Sequence, residues 1–232
     1  MPPLLSSRLL QRTLSAIMIM PVVVAAVLYG GLPFVILVAV NIAVVLYEWY
    51  YLALRSPYKY ALMVAGLFYT LLAFGAGYLI RDEYGVRYAL LFVIMIWASD
   101  IGAYVTGKLI GGPKLAVSIS PNKTWAGLIG AAVFPVICAN IFLHTYDYFY
   151  SHQTWDGMTK ISLAMFVIGG IIGVVGQAGD LLISCLKRHV GVKDTGTIIP
   201  GHGGLLDRVD ALMLTAPVFL FFIEQFTYVF EN

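Results

Sequence analysis

Apolar residues dominate this chain and are interrupted only by short polar segments. Seven apolar runs approach or exceed the roughly 18 to 20 residues that a helix needs to cross a bilayer. These runs cover residues 13–31, 33–54, 60–80, 86–107, 125–145, 161–186 and 209–230. The pattern predicts an all-α polytopic integral membrane protein, with about seven transmembrane helices in a single domain over residues 1–232.

Glycine and proline positions refine this prediction. Gly30 to Pro33 predict a tight turn that joins the first two helices as a hairpin. Glycines recur through the sixth run, at Gly169, Gly170, Gly173, Gly176 and Gly179. A bare helix face lets another helix approach closely, and we expect such packing from the first four. Gly179 directly precedes Asp180, where the missing side chain is equally compatible with close approach of a ligand.

Composition and charge agree with a membrane protein. The 232 residues are 60% hydrophobic and 11% charged, whereas soluble domains carry about 25% charged residues. The net charge of +2, without a basic stripe of interleaved aromatic residues, argues against a nucleic-acid partner.

Lysine and arginine positions predict the orientation. If the N-terminus is cytoplasmic, eleven of the fourteen basic residues lie inside and three outside, which is a clear positive-inside bias. The inside residues are Arg8, Arg12, Arg55, Lys59, Lys108, Lys114, Lys123, Lys187, Arg188, Lys193 and Arg208; the outside residues are Arg81, Arg87 and Lys160. We therefore expect a bacterial-type inner membrane, a polar cavity open to the cytoplasm and an external C-terminus.

Residues 184–210 form the longest polar segment, SCLKRHVGVKDTGTIIPGHGGLLDRVD. Within it, the run from Pro200 to Gly204 favours a turn that exposes backbone N–H groups, including those of Gly203 and Gly204. Cations, N–H groups and carboxylates at this density are typical of a phosphate held through a divalent metal. The alternative is a charged loop between two membrane helices, but such a loop does not require this order of Gly, His and paired Asp.

Three acids suggest a metal site. Asp207 and Asp210 are three residues apart at the predicted start of the seventh helix, so they share a face. Asp180 stands at the same depth in the sixth helix, and three carboxylates there suit one or two Mg²⁺ ions. Acids that complement the helix dipole are an alternative for the first two, but not for Asp180, which lies far into an apolar run.

Basic residues around these acids suggest phosphate binding. Lys187, Arg188, Lys193 and Arg208 are the candidates in the polar segment. Anchoring at the cytoplasmic interface explains Lys187 or Arg188 equally well. His202 has no second His or Cys beside it, which favours a hydrogen-bonding role in the loop over metal ligation.

A second candidate anion site precedes the fifth run. Ser120 followed by Pro121 predicts the N-cap and first residue of that helix, with Lys123 and Thr124 beside the helix N-terminus.

Three further acids fall inside apolar runs. Asp100 is a candidate for an unassigned polar role in the cavity, because acids at such depth are costly. Glu48 is explained as well by interfacial pairing, and Glu224 has no assigned role.

The order and spacing of these residues resemble the signature of the phosphatidate cytidylyltransferase family, also called CDP-diacylglycerol synthases. The matching positions are Ser184, Lys187, Arg188, Lys193, Asp194, Pro200, His202, Gly203, Gly204, Asp207, Arg208 and Asp210. Shorter elements of the family are matched by Gly179-Asp180-Leu181, by Ser120, Pro121, Lys123, Thr124 and Gly127, and by Asp100, Ala103, Tyr104 and Gly107. Ala126 and Ile183 depart from the family, which commonly has acids at those positions.

This resemblance implies transfer of the cytidylyl group of CTP to phosphatidate, giving CDP-diacylglycerol and pyrophosphate in phospholipid biosynthesis. It implies CTP, phosphatidate and membrane lipids as partners and Mg²⁺ as cofactor, and the oligomeric state stays open between a monomer and a homodimer. We expect catalytic roles for Asp180, Asp207, Asp210, Lys187 and Arg188, the three acids being the metal ligands. We expect substrate phosphates to be bound by Ser120, Lys123, Thr124, Lys193, His202, Gly203, Gly204 and Arg208.

Two other functions remain open at this point. A CTP-dependent polyprenol or lipid kinase also needs a membrane-embedded site for metal and nucleotide, but it releases CDP rather than pyrophosphate. A cation- or proton-coupled transporter would use Asp100 and Asp180 as a relay. Transport does not explain the long polar segment, and two related halves with interrupted helices are not evident.

Overall fold

The structure is a computed structural model that describes Met18 and residues 20–150, 155–198 and 203–230. Seven helices follow one another in this part of the chain. They are α1 (Met20–Tyr29), α2 (Gly31–Leu54), α3 (Lys59–Asp82), α4 (Gly85–Leu109), α5 (Trp125–Tyr150), α6 (Trp155–His189) and α7 (Leu206–Phe230). An antiparallel hairpin of β1 (Lys114–Ala116) and β2 (Ser120–Thr124) precedes α5.

The helices confirm the all-α polytopic prediction. Five of them, α2 to α6, are long and apolar enough to cross a membrane. Their ends agree with the predicted spans to within a few residues, and the largest difference is at α6, which begins at Trp155 rather than near residue 161. The turn predicted at Gly30 is present, with a positive φ of 66°. Residues 13–17 and 19 of the first predicted span lie outside the described residues.

The segment before α5 differs from the prediction. Ser120 and Pro121 belong to β2, in which Ser120 pairs with Ala116, so the prediction that they cap and begin the fifth helix is wrong. Thr124 is the cap instead, because its Oγ1 accepts the N–H of Gly127 at 3.1 Å, just after α5 begins. Pairing with β1 keeps residues 120–124 extended, which no local signal in this polar stretch indicates.

Small residues bring α4, α5 and α6 into close contact. Gly102 and Gly130 have no room for a Cβ, because each backs onto the carbonyl oxygen of the other. Gly169 and Gly173 of α6 back onto the α5 backbone in the same way, which confirms the predicted packing at these two positions. Gly170 faces open space instead. The three helices therefore form a tightly packed wall of the bundle.

Two apolar clusters form the core, and α7 contributes to both. In the larger one, Phe92 of α4 stacks on Phe219 of α7 with ring centroids 4.9 Å apart. The smaller one joins α2, α3, α6 and α7 and includes Trp49, Ile183 and Leu206. Leu206 is the first residue of α7, so the second cluster fixes the start of this helix.

The connections after α2, α4 and α6 lie together at one end of the bundle, which we call the loop end. Ser56 Oγ is 3.4 Å from His189 Nε2, and Arg188 Nε donates to the carbonyl oxygen of Ile119 at 3.3 Å. At the opposite end, Arg81 donates to the carbonyl oxygens of Val27 and Leu28, the last turn of α1.

Candidate active site

A polar cavity of about 480 Å³ lies at the loop end, between α4, β2, α5 and α6. Its lining includes Asp100, Lys123, Thr124, Gln177 and Asp180. These residues come from three parts of the chain that sequence analysis singled out separately. The fold thus assembles one polar cavity from distant candidates.

Lys123 of β2 and Asp180 of α6 form an ion pair in the cavity, with Nζ 2.7 Å from Oδ2. Lys123 Nζ also donates to the carbonyl oxygen of Gln177 at 3.3 Å, and Ser184 Oγ donates to Asp180 Oδ1 at 3.1 Å. The two charged side chains retain 15% and 36% of their exposure. A ligand in the cavity can therefore reach both members of the pair, an anion at Lys123 and a cation at Asp180.

Three carboxylates from α4, α6 and α7 interact electrostatically. Asp100 interacts with Asp180, and Asp210 interacts with both. Asp210 is buried, and its Oδ1 accepts the N–H of Ala211 at 2.8 Å. Gly179 allows this approach, because a Cβ there would lie 2.6 Å from the carbonyl oxygen of Asp210. The space at Gly179 is filled by the α7 backbone and not by a ligand.

Asp207 is the third predicted metal ligand, and its two oxygens already have protein partners. Oδ1 pairs with Lys187 Nζ at 2.5 Å, and both side chains are largely buried. Oδ2 accepts the N–H groups of Thr195 and Gly204 at 2.8 and 3.2 Å. Losing one partner of such a buried pair costs about 3–5 kcal/mol. Asp207 and Lys187 therefore hold the polar segment against α6.

Glu48 of α2 is a member of the site that sequence analysis did not assign. Its carboxylate is almost fully buried and accepts the N–H groups of Leu205 and Leu206, both at 2.8 Å. Thr195 Oγ1 lies 2.9 Å from Glu48 Oε2 and 3.0 Å from Asp207 Oδ2, so one hydroxyl proton serves two carboxylates. Leu205 has no side-chain acceptor to cap α7, and Glu48 supplies one from another helix.

Glycines make room for this arrangement. A Cβ on Gly204 would collide with Thr195 Oγ1 and Glu48, and a Cβ on Gly196 would lie 2.8 Å from Glu48 Oε1. Gly203 has a positive φ of 86°, as the predicted turn requires. Pro200, Gly201 and His202, a predicted phosphate-binding residue, lie outside the described residues.

The remaining predicted cations lie at the surface of the loop end. Arg188 is exposed and links α6 to two connections, donating to the carbonyl oxygens of Ile119 and Val192 at 3.3 Å. Lys193 and Arg208 are exposed as well. Arg208 interacts electrostatically with Asp100, so its charge is felt in the polar cavity.

The donor set agrees with Mg²⁺, which prefers hard oxygen ligands. Asp180 and Asp210 fit this role, because they are neighbouring carboxylates on packed helices and share the electrostatic influence of Asp100. No group of three or more His, Cys, Asp or Glu side chains in the described part of the chain is arranged to hold an ion. Asp207 does not join Asp180 and Asp210 in such a group, since its oxygens bind Lys187 and the polar segment.

Ile183 and Ala126 are the two positions that depart from the family pattern. Ile183 is fully buried in the smaller apolar cluster, where an acid would be costly to bury. Ala126 lies at the start of α5, and its carbonyl oxygen accepts the Thr106 hydroxyl at 3.0 Å.

Known proteins resemble this chain along most of its length. Residues 58–226 match the model of the cytidylyltransferase family. A phosphatidate cytidylyltransferase from Rickettsia felis is 37% identical over 220 residues, which cover 92% of this chain and 91% of that protein. Phosphatidate cytidylyltransferases from Haemophilus influenzae and Bacillus subtilis are 40% and 39% identical, over 67% and 63% of this chain and 54% and 51% of their own lengths.

Proposed function

The chain belongs to the cytidylyltransferase family, and we propose that the polar cavity is where its two anionic substrates meet. The enzyme transfers the cytidylyl group of CTP to phosphatidate, giving CDP-diacylglycerol and pyrophosphate in phospholipid biosynthesis. The observation that carries the placement is the accessible Lys123–Asp180 pair. It offers a cation for phosphate and a carboxylate for a metal within one cavity.

The reaction is a substitution at phosphorus. An oxygen of the phosphatidate phosphate attacks the α-phosphorus of CTP, the bond to the bridging oxygen breaks, and pyrophosphate leaves with the electron pair. The attacking oxygen is already anionic, so no protein nucleophile is required. The protein must instead reduce repulsion between two anions and hold them in line. Lys123, Arg188, Lys193 and Arg208 supply positive charge for this purpose.

Asp180 and Asp210 would hold Mg²⁺, which when bound neutralises phosphate charge. Lys187 and Asp207 act through the polar segment, because their mutual contacts keep Thr195 and Gly204 in place. Thr124 fixes the start of α5 beside Lys123, and Ser120 supports it through the hairpin. The Gly204 N–H is held by Asp207 Oδ2, so Gly203 is the residue of this turn whose N–H we assign to phosphate oxygens.

The test uses the purified protein in detergent with phosphatidate, Mg²⁺ and CTP labelled in the cytosine ring. We expect a labelled lipid and one pyrophosphate per labelled lipid, with neither product when phosphatidate is omitted. Release of labelled CDP together with an unlabelled phosphorylated lipid would instead identify a CTP-dependent kinase and overturn the assignment.

The apolar helices make the enzyme an integral membrane protein. We place it in a bacterial-type inner membrane with the loop end in the cytoplasm, because CTP is a cytoplasmic nucleotide and the basic residues concentrate at that end.

A further inference from the structure

A second cavity, apolar and about 150 Å³ in volume, lies inside the bundle between α1, α2, α3, α4 and α7. Its lining includes Val27, Phe34, Phe74, Gly77 and Leu212. Asn41 is the one polar side chain among the described residues of the lining, and its amide donates to the carbonyl oxygen of Leu37 at 2.7 Å. The cavity therefore suits an apolar ligand without hydrogen-bonding groups.

The cavity begins at the catalytic end of α7. Val209, which lines it, stands between Arg208 and Asp210 in the first turn of the helix. Leu212, less than one turn further, lines it as well. A molecule whose anionic head lies at Arg208 would thus have this cavity beside it, deeper in the membrane.

Two buried hydroxyl groups of α3 lie between the site and the apolar cavity. Tyr69 Oη and Thr70 Oγ1 have no hydrogen-bond partner among the described residues. Tyr69 interacts electrostatically with Asp210, which places it near the site. Thr70, Phe74 and Gly77 are spaced by four and three residues, so they lie on one face of the helix. A hydroxyl donor therefore precedes the apolar cavity on the side of the site.

We propose that this cavity binds one acyl chain of phosphatidate; the assignment rests on the proposed function. The order of groups matches that lipid: phosphate at Arg208, an ester oxygen at the unpartnered hydroxyls, and hydrocarbon in the cavity. Cavities of this size hold roughly six carbon atoms, as an engineered cavity that binds benzene does. The cavity thus takes the first part of one chain, and the rest of the lipid remains in the bilayer.

Gly77 gives a direct test, because a Cβ there would meet nothing within 4 Å. Gly77→Leu therefore fills the cavity without a backbone clash. Gly75 is the matched control, since it is on the same helix, also has open space at Cβ and does not line the cavity. Both changes replace glycine by the same helix-favouring residue.

The measurement is kcat/KM of the full chain for diacetyl, dioctanoyl and dipalmitoyl phosphatidate at saturating CTP. Acetyl groups are too short to enter the cavity, so we expect Gly77→Leu to lower the values for the two longer lipids about tenfold relative to diacetyl phosphatidate, about 1.4 kcal/mol. Gly75→Leu should leave the ratios between lipids unchanged. Equal losses for all three lipids, or no loss, would overturn the proposal while wild-type turnover still supports the proposed function.

A labelling experiment covers the case in which Gly77→Leu does not fold. The wild-type protein is irradiated with phosphatidate that carries a diazirine early in one acyl chain, and labelled peptides are mapped. We expect labels around Phe74 and Leu212, removed by excess phosphatidate but not by phosphatidylcholine. Equal competition by both lipids would assign the cavity to a structural lipid, and labels elsewhere would exclude it as the acyl site.

Discussion

Asp180, Asp207 and Asp210 differ in what their oxygens contact, although sequence analysis grouped them. Asp180 faces the polar cavity with Lys123 as partner. Asp210 is buried, with one oxygen bound to its neighbouring N–H. Asp207 uses both oxygens to hold Lys187 and the polar segment. Metal binding by all three acids stays a prediction, and these contacts favour Asp180 and Asp210 over Asp207.

This difference predicts different responses to Mg²⁺. Asp180→Asn and Asp210→Asn should each lower turnover on the order of a hundredfold and raise the Mg²⁺ concentration needed for half-maximal rate, because each removes charge from one metal site. The double variant should be little worse than the worse single one. Asp207→Asn should lower thermal stability and turnover with little change in the Mg²⁺ requirement. The measurement is turnover as a function of Mg²⁺ concentration for each variant. Additive losses of turnover, with an unchanged Mg²⁺ concentration for half-maximal rate, would show that Asp180 and Asp210 do not share a metal site.

Arg208 tests whether the planar guanidinium matters beyond its charge. Arg208→Lys keeps the charge but loses two-pronged contact with phosphate, so kcat/KM for CTP or phosphatidate should fall about tenfold or more. Arg55→Lys is the control, since Arg55 is an exposed cation that follows α2 at the same end. Wild-type constants in Arg208→Lys would show that this side chain does not grip a phosphate.

At the scale of helices, Glu48 connects α2 to the start of α7. Glu48→Gln keeps the size but turns one acceptor into an amide that faces the N–H groups of Leu205 or Leu206. We expect kcat to fall at least tenfold, because the turn that carries Arg208 and Asp210 is released. Loss of a cap alone is worth about 0.5–2 kcal/mol of stability.

Trp49→Phe is the matched control for Glu48→Gln. Trp49 follows Glu48 in α2, and its indole N–H donates to the carbonyl oxygen of Leu62. This hydrogen bond holds α2 to α3 and not to the polar segment, and the phenylalanine variant loses it. If both variants lose thermal stability but only Glu48→Gln loses kcat, Glu48 positions the site. Parallel losses of kcat at equal stability would reduce Glu48 to a general structural role.

The helices were predictable because apolar runs of membrane length leave few alternatives. The residues of the site were predictable where they lie close together in the sequence, as Asp207 and Asp210 do. Glu48 was missed since its partners lie 147 to 158 residues further along the chain, and no local pattern reports such a contact. The hairpin was missed for another reason: its pairing is local, but Lys114 to Thr124 are mostly polar, and only their pairing makes them strands.

At the scale of the molecule, the cytoplasmic placement of the site depends on which side of the membrane the loop end faces. In a background with Cys138→Ala and Cys185→Ala, single cysteines at Tyr58, Val117 and Glu83 occupy exposed positions. The first two lie at the loop end and should react with a membrane-impermeant thiol reagent only in inverted vesicles. Glu83→Cys, at the opposite end, should react in intact cells. The reverse pattern would place the loop end outside and exclude cytoplasmic CTP as the substrate.

The long separation between Glu48 and its partners also bears on biosynthesis. Ribosomes add roughly 5–20 residues per second, so α2 is made on the order of ten seconds or more before the N–H groups that Glu48 accepts. During this interval the growing chain carries a carboxylate near the membrane interface with no amide to bind. The active site is thus completed only when α7 has been made, and a chain released before α7 has inserted contains the residues that line the polar cavity but no catalytic turn.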